Sequence, residues 1–159
     1  MEDTARIHHE LEIAYPDGFH LMSAEELQQA YKSDYPNMWG IRDEDRHIII
    51  AIFWKESNEL LTKLVNAKSQ AKRVEKLMAK GLKGRKYHFC GNFATTVAGC
   101  EAHGFRYGYL GAGDVPQDAE TILFTHGKTS YTLYYYTRPE TAAANLAIRD
   151  AIVSSLRFV

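Results

Sequence analysis

The run Ile48-Ile49-Ile50-Ala51-Ile52-Phe53-Trp54 is apolar at every position. A half-wet strand alternates apolar and polar side chains, because successive residues point to opposite faces. An unbroken apolar run of strand length is instead a central strand covered on both faces. It therefore predicts a sheet with a layer above it and a layer below. Met38 to Arg42 is an expected strand just upstream. Asp43-Glu44-Asp45 reads as a polar turn, and His47 to Trp54 completes a hairpin.

The covering layers are legible as helices. Ser23 opens a short one: its hydroxyl can cap the first turn, and Glu26 completes a capping box. Leu27, Ala30 and Tyr31 give it an apolar stripe. Asn58 to Lys80 is read as one long helix of roughly 30 Å. Leu60, Leu61, Leu64, Ala67, Ala71, Val74, Leu77 and Met78 recur along it at spacings of three and four. Ser57 or Asn58 is its expected cap, and Gly81 its expected left-handed stop. Thr137 with Glu140 is a second capping box, opening a last helix that runs to about Ser155. Leu156 to Val159 is expected to pack back on the domain.

Strands fill the rest. Ile7 to Tyr15 reads as a first strand, with Ile7, Leu11, Ile13 and Tyr15 on one face and His9 out of pattern. Pro16-Asp17-Gly18 is turn chemistry. Phe93 to Val97 and Cys100 to Leu110 flank the two-residue turn Ala98-Gly99. Gly111 to Asp118 is an expected loop. Thr121 to Thr125 and Ser130 to Tyr136 form a further hairpin across His126-Gly127-Lys128. The order is β-α-β-β-α-β-β-β-β-α. Tight turns make consecutive strands antiparallel. The expectation is an α/β (α+β) fold: an α/β/α sandwich with a mostly antiparallel central sheet of about six or seven strands and helices on both faces.

Composition bounds function. At 159 residues the chain is one domain, 1–159, able to hide roughly 70% of its unfolded surface without staples. Lys plus Arg number 19 against 20 Asp plus Glu, which argues against nucleic acid as partner, since phosphate neutralisation needs a basic face. Lys63, Lys68, Lys72, Arg73, Lys76, Lys80, Lys83, Arg85 and Lys86 cluster on and just after the long helix and read as its solvated face. No apolar stretch reaches the ~20 residues of a membrane helix. No leader is visible, and two cysteines are too few for a disulfide framework. A cytoplasmic protein with free thiols is expected.

The layout resembles the PsbP-like superfamily, which includes a photosystem II extrinsic protein, a Ran-binding import factor and small bacterial proteins of unknown role. The likeness is carried by Tyr15-Pro16-Asp17-Gly18-Phe19 before a short capped helix, then by a hairpin and a long helix. It continues through Val97-Ala98-Gly99-Cys100-Glu101-Ala102 into Phe105-Arg106-Tyr107-Gly108-Tyr109. It closes with Tyr131-Thr132-Leu133, a capped helix and Ser154-Ser155-Leu156-Arg157-Phe158. It spans Ile7 to Phe158 and implies an α/β/α sandwich that works by binding or assembly. It transfers no functional residue.

Catalytic motifs fail on their spacing. Gly111-Ala112-Gly113 precedes an expected strand where a dinucleotide loop needs a helix. Gly127-Lys128-Thr129 has Ile122 where a phosphate loop needs glycine. His8 and His9 are expected to diverge on a strand, as are Cys100 and His103; no metal or other cofactor is expected. Cys90 should pair near Tyr107, apart from Cys100.

The tyrosines remain. Tyr107, Tyr109, Tyr134 and Tyr136 alternate on expected strands, and tyrosine suits half-exposed surfaces. One reading is ordinary sheet packing. The other is a binding face, with Arg106 and His103 as polar companions and Trp39 at its margin. The expected function is a non-enzymatic binding or assembly module presenting this patch to a protein or small ligand. The alternatives are a small enzyme using Cys or His in a cleft, and a homodimer through an exposed strand; the chain is expected to be a monomer or a homodimer.

Overall fold

The computed structural model describes residues 2–31, 37–57 and 66–159. Seven strands form one antiparallel sheet in the order β3-β4-β5-β9-β8-β7-β6. These are β3 (His20–Leu21), β4 (Met38–Asp43), β5 (Ile48–Glu56), β6 (His88–Val97), β7 (Cys100–Leu110), β8 (Pro116–His126) and β9 (Thr129–Thr137). The apolar run is β5, inside the sheet, with Ile48, Ile50, Ala51 and Ile52 fully buried. The layered model that follows from that run holds.

The two covers differ. One face carries α1 (Ala24–Tyr31) over β4, and α2 (Ala67–Gly81) over β7 and β8. Gly40 is the seat of α1: a Cβ there would lie 2.9 Å from Leu27 Cδ2. The Ser23–Glu26 capping box forms reciprocally, each side chain bonding the other's amide at 3.1 Å. The opposite face carries α3 (Ala142–Ser155) beside a second sheet, β1-β2-β10, formed by Glu2–Ile7, Leu11–Pro16 and Arg157–Phe158. Ile7, Leu11, Ile13, Ile152, Val153 and Leu156 pack there against Ile41, Ile48, Ile50, Ile52, Leu133 and Tyr135.

Three expectations are corrected. The first strand is a hairpin: His8 and His9 take φ of 51° and 66°, and Ile7 pairs with Leu11. A turn with two positive φ values usually takes Asn or Gly, which is why histidines hid it. The described helix begins later than expected, at Ala67: Asn66 is extended and caps it, accepting from the Ser69 amide at 2.8 Å. Asparagine's short amide competes for backbone donors and so favours such a cap. Residues 58–65, with Leu60, Leu61, Leu64 and the expected Asn58 cap, lie outside the described residues. Gly81 is still helical, and the left-handed glycine is Gly84 (φ 85°). Lastly, Thr137 does not cap α3. Arg138 stays extended before Pro139, as the residue before proline prefers, and a 3-10 turn, Pro139–Thr141, precedes the helix.

The Ala98-Gly99 turn forms as expected, with Val97 opposite Cys100. Arg85, just past α2, locks the β7–β8 connection. Its Nε donates to Leu110 O at 2.9 Å and another guanidinium nitrogen to Gly111 O. The Leu110 amide returns a bond to Arg85 O at 2.7 Å.

Candidate functional site

Strand alternation and the two core clusters assign each expected site residue to a face. Tyr107, Tyr109, Tyr134, Tyr136 and His103 point toward the α1/α2 side. Arg106 and Trp39 point the other way. The seven residues therefore do not form one patch.

Tyr107 is a core side chain, 1% exposed, packed with Phe105 and Ala119 under Val74, Met78 and Leu82. Its hydroxyl lies 3.1 Å from that of Thr121. Tyr109, Tyr134 and Tyr136 are half-buried. The rings run on as a layer. Tyr107 stacks on Tyr109 at 5.9 Å, Tyr109 meets Tyr136 edge-on at 6.1 Å, and Tyr134 stacks on Tyr136 at 6.4 Å. Tyr31 of α1 contacts both of the last two. Burial pushes the Tyr109 phenol up to about 12 and the Tyr31 and Tyr136 phenols well above their ordinary value. The layer is thus uncharged at neutral pH.

His103 sits at the margin of this face, its Nε2 3.0 Å from Glu101 Oε1. On the opposite face Arg106 lies over the Phe93 ring at 4.3 Å and reaches Glu120 at 3.6 Å. Trp39 is partly buried against the main core, 6.1 Å from Tyr15.

The cysteines are apart. Cys90 is exposed at a bulge between Phe89, which pairs with Tyr107, and Gly91. Cys100 is half-buried; burial raises its thiol, and its hydrogen bond is to Ala98 O. Neither thiol bonds a histidine among the described residues, and a raised thiol disfavours the reactive thiolate. No group of three or more His, Cys, Asp or Glu among the described residues is placed to hold a metal. No described helix is long and apolar enough to cross a membrane.

Three further surface features stand out, of which only an exposed strand, without its position, was expected from the sequence. One is an open groove of about 600 Å³ beside the β1–β2 turn. There the His8 ring rests 5.3 Å from Trp54 and its Nε2 is 3.0 Å from Glu56. A second is a cleft of about 380 Å³ between the β4–β5 turn and the ends of β8 and β9, lined by both arginines and carboxylates. The third is the free edge of β6. The cleft joins residues far apart in sequence, so only the β5–β9 pairing could have revealed it. The edge had a readable signal: no residue of β6 is charged.

No protein-family model and no curated protein sequence matches the chain. Solved structures do. The chain is similar to cyanobacterial PsbP (CyanoP) from Synechocystis sp. PCC 6803, at TM-score 0.74 and 16% identity, over 99% of this chain and 92% of that one. It is also similar to LpqN of Mycobacterium tuberculosis, a protein involved in cell envelope biogenesis, at TM-score 0.59 and 13% identity, over 100% of this chain and 91% of the other. The fold is PsbP-like, as the resemblance in sequence layout implied.

Proposed function

We propose that the protein is a non-enzymatic binding and assembly module that takes an extended segment of a protein partner by strand addition at the free edge of β6. The observation that carries this is the bareness of that edge. β6 is ten residues long and pairs with β7 alone among the described residues. Natural edge strands are blunted by shortness, charge or proline. The other free edges follow that rule: β3 and β10 have two residues each, and β1 carries Glu2, Asp3 and Arg6. The β6 sequence HFCGNFATTV has no charge and no proline. Beyond the bulge at Cys90, its ladder with β7 is regular from Gly91 to Val97. Exposed Phe89 offers an aromatic contact beside the edge. Main-chain bonds to such an edge supply affinity and neighbouring side chains supply specificity. The free Cys90 thiol fits a cytoplasmic site of action, where thiols stay reduced.

Val97 and Cys100 close a two-residue hairpin and so exchange both of their bonds. By alternation, Asn92, Ala94 and Thr96 point their amides outward. Ala94→Pro removes one outward donor and leaves the β7 ladder whole, since proline is tolerated where an edge N–H faces solvent. Affinity capture from host extract with wild type and Ala94→Pro in parallel, at equal thermal stability, tests the reading. Partners present on wild type and lost on the variant support it. The same proteins on both, or none on either, sink it. A second copy of β6 would fill the same edge, and then the variant loses a concentration-dependent rise in mass.

A further inference from the structure

We propose that the cleft between the β4–β5 turn and the ends of β8 and β9 binds a small oxyanion, a carboxylate or phosphate, through the guanidinium groups of Arg42 and Arg138. The site is separate from the β6 edge and independent of it.

The first observation is a charge imbalance. Of nine arginines in the chain, Arg6, Arg46, Arg85, Arg106, Arg149 and Arg157 each reach a carboxylate. Among the described residues Arg42, Arg73 and Arg138 do not. Two of those three line this one cleft. The Arg42 side chain has no hydrogen bond or ion pair among the described residues, its backbone being paired in the sheet. The recorded side-chain contact of Arg138 is from Nη1 to His47 Nε2 at 3.5 Å, which brings no negative charge. The cleft's buried carboxylate is already taken, since Asp43 Oδ2 accepts from Arg46 at 2.7 Å. Glu44 is left at the exposed rim. Arginine's planar fork matches carboxylate and phosphate oxygens, and such charge-assisted bonds are the strong ones.

The second observation is that the cleft is held in shape before any ligand arrives. His47 takes φ of 58°, unusual for a residue with a side chain. The turn beneath it is fixed. The Arg46 amide donates to Asp43 Oδ1 at 3.1 Å, and Arg46 Nη1 donates to Asp17 O at 3.1 Å. Asn145 of α3, 4% exposed, then joins both walls. Its Nδ2 donates to Arg46 O at 2.8 Å and to Thr137 Oγ1 at 2.9 Å. Those acceptors belong to the residues immediately before His47 and Arg138. One buried amide thus sets the spacing of the two walls. Backbone held in a sparse conformation by its surroundings is a recurrent feature of ligand clamps. Gln117 and Tyr136 complete the lining with neutral hydrogen-bonding groups.

The test is calorimetric titration of the whole chain with inorganic phosphate and, separately, with citrate, at matched ionic strength, with glycerol as neutral control. Saturable one-to-one binding of either anion is expected. Whichever anion binds tells phosphate from carboxylate chemistry. Arg42→Gln and Arg138→Gln should each weaken it about tenfold or more, the scale of one charge-assisted bond. Arg73→Gln, which removes the unpaired arginine of α2, should leave it unchanged. Folding of each variant is checked by its melting temperature. Binding that all three variants weaken equally is a general charge effect and overturns the proposal. So does binding that survives both cleft substitutions, and so does the absence of binding by either anion.

Discussion

Arg149 Nη2 on α3 and Glu120 Oε2 on β8 are 2.5 Å apart, and their side chains are only 13% and 9% exposed. This pair ties the last helix to the sheet. Arg106 approaches the same carboxylate at 3.6 Å from the neighbouring strand. Glu120→Ala would leave Arg149 nearly buried beside an apolar site, with only exposed Asp150 for company. Losing one partner of a buried pair costs about 3–5 kcal/mol, and chemical denaturation should show a loss of that order. The double change Glu120→Met with Arg149→Leu removes both charges, and should recover most or all of it. A double variant as unstable as the single one would refute this account of the pair.

The aromatic layer predicts sensitivity to alkali. An unfolded tyrosine releases its proton near 10, while burial pushes Tyr109 and Tyr135 up to about 12 and raises Tyr107 as well. The folded state therefore holds protons that the unfolded state has lost. Stability from this source is complete below pH 10 and falls as pH rises from 10 to 12. The denaturation midpoint should drop across that window, and tyrosinate absorbance should rise together with unfolding. Tyrosinate absorbance that rises near pH 10 with the fold intact would contradict the burial of these phenols.

Tyr107 offers a finer test of packing against exposure. Tyr107→Phe keeps the ring and removes the bond to Thr121, a loss of about 1 kcal/mol. Tyr107→Ser empties a core site and should cost about 3–5 kcal/mol, as aromatic truncations do. A serine variant as stable as the phenylalanine one would mean the ring is not core.

The parts of the fold legible in sequence were those where one local rule decided the outcome. The run from Ile48 to Trp54 has no polar face, so only an inner strand could hold it. Ser23 and Glu26 specify each other three residues apart. Ala98-Gly99 is a turn that few other structures could use. The failures came where two rules competed. His8 and His9 sit in a turn that their side chains do not advertise. The apolar spacing reads straight through Asn66, so periodicity hid the cap its amide makes there. For the candidate sites, alternation showed which tyrosines share a face. It also turned Arg106 to the other face, but it could not show that helices cover the tyrosines or on which side Trp39 lies. Arg42 and Arg138 face one cleft only because β4, β5 and β9 are successive neighbours in the sheet, a relation absent from any local window.

The small sheet has a consequence for how the molecule is made. β10 pairs with β2 through Arg157 opposite Glu12 and Phe158 opposite Leu11. Contacts so distant along the polypeptide form slowly, because a long loop must close before they return any energy. During synthesis the β1–β2 hairpin must therefore wait, with one side unfilled, until nearly everything between has emerged from the ribosome. A nascent chain that stalls before Arg157 exposes that side to whatever chaperone or neighbouring chain arrives first.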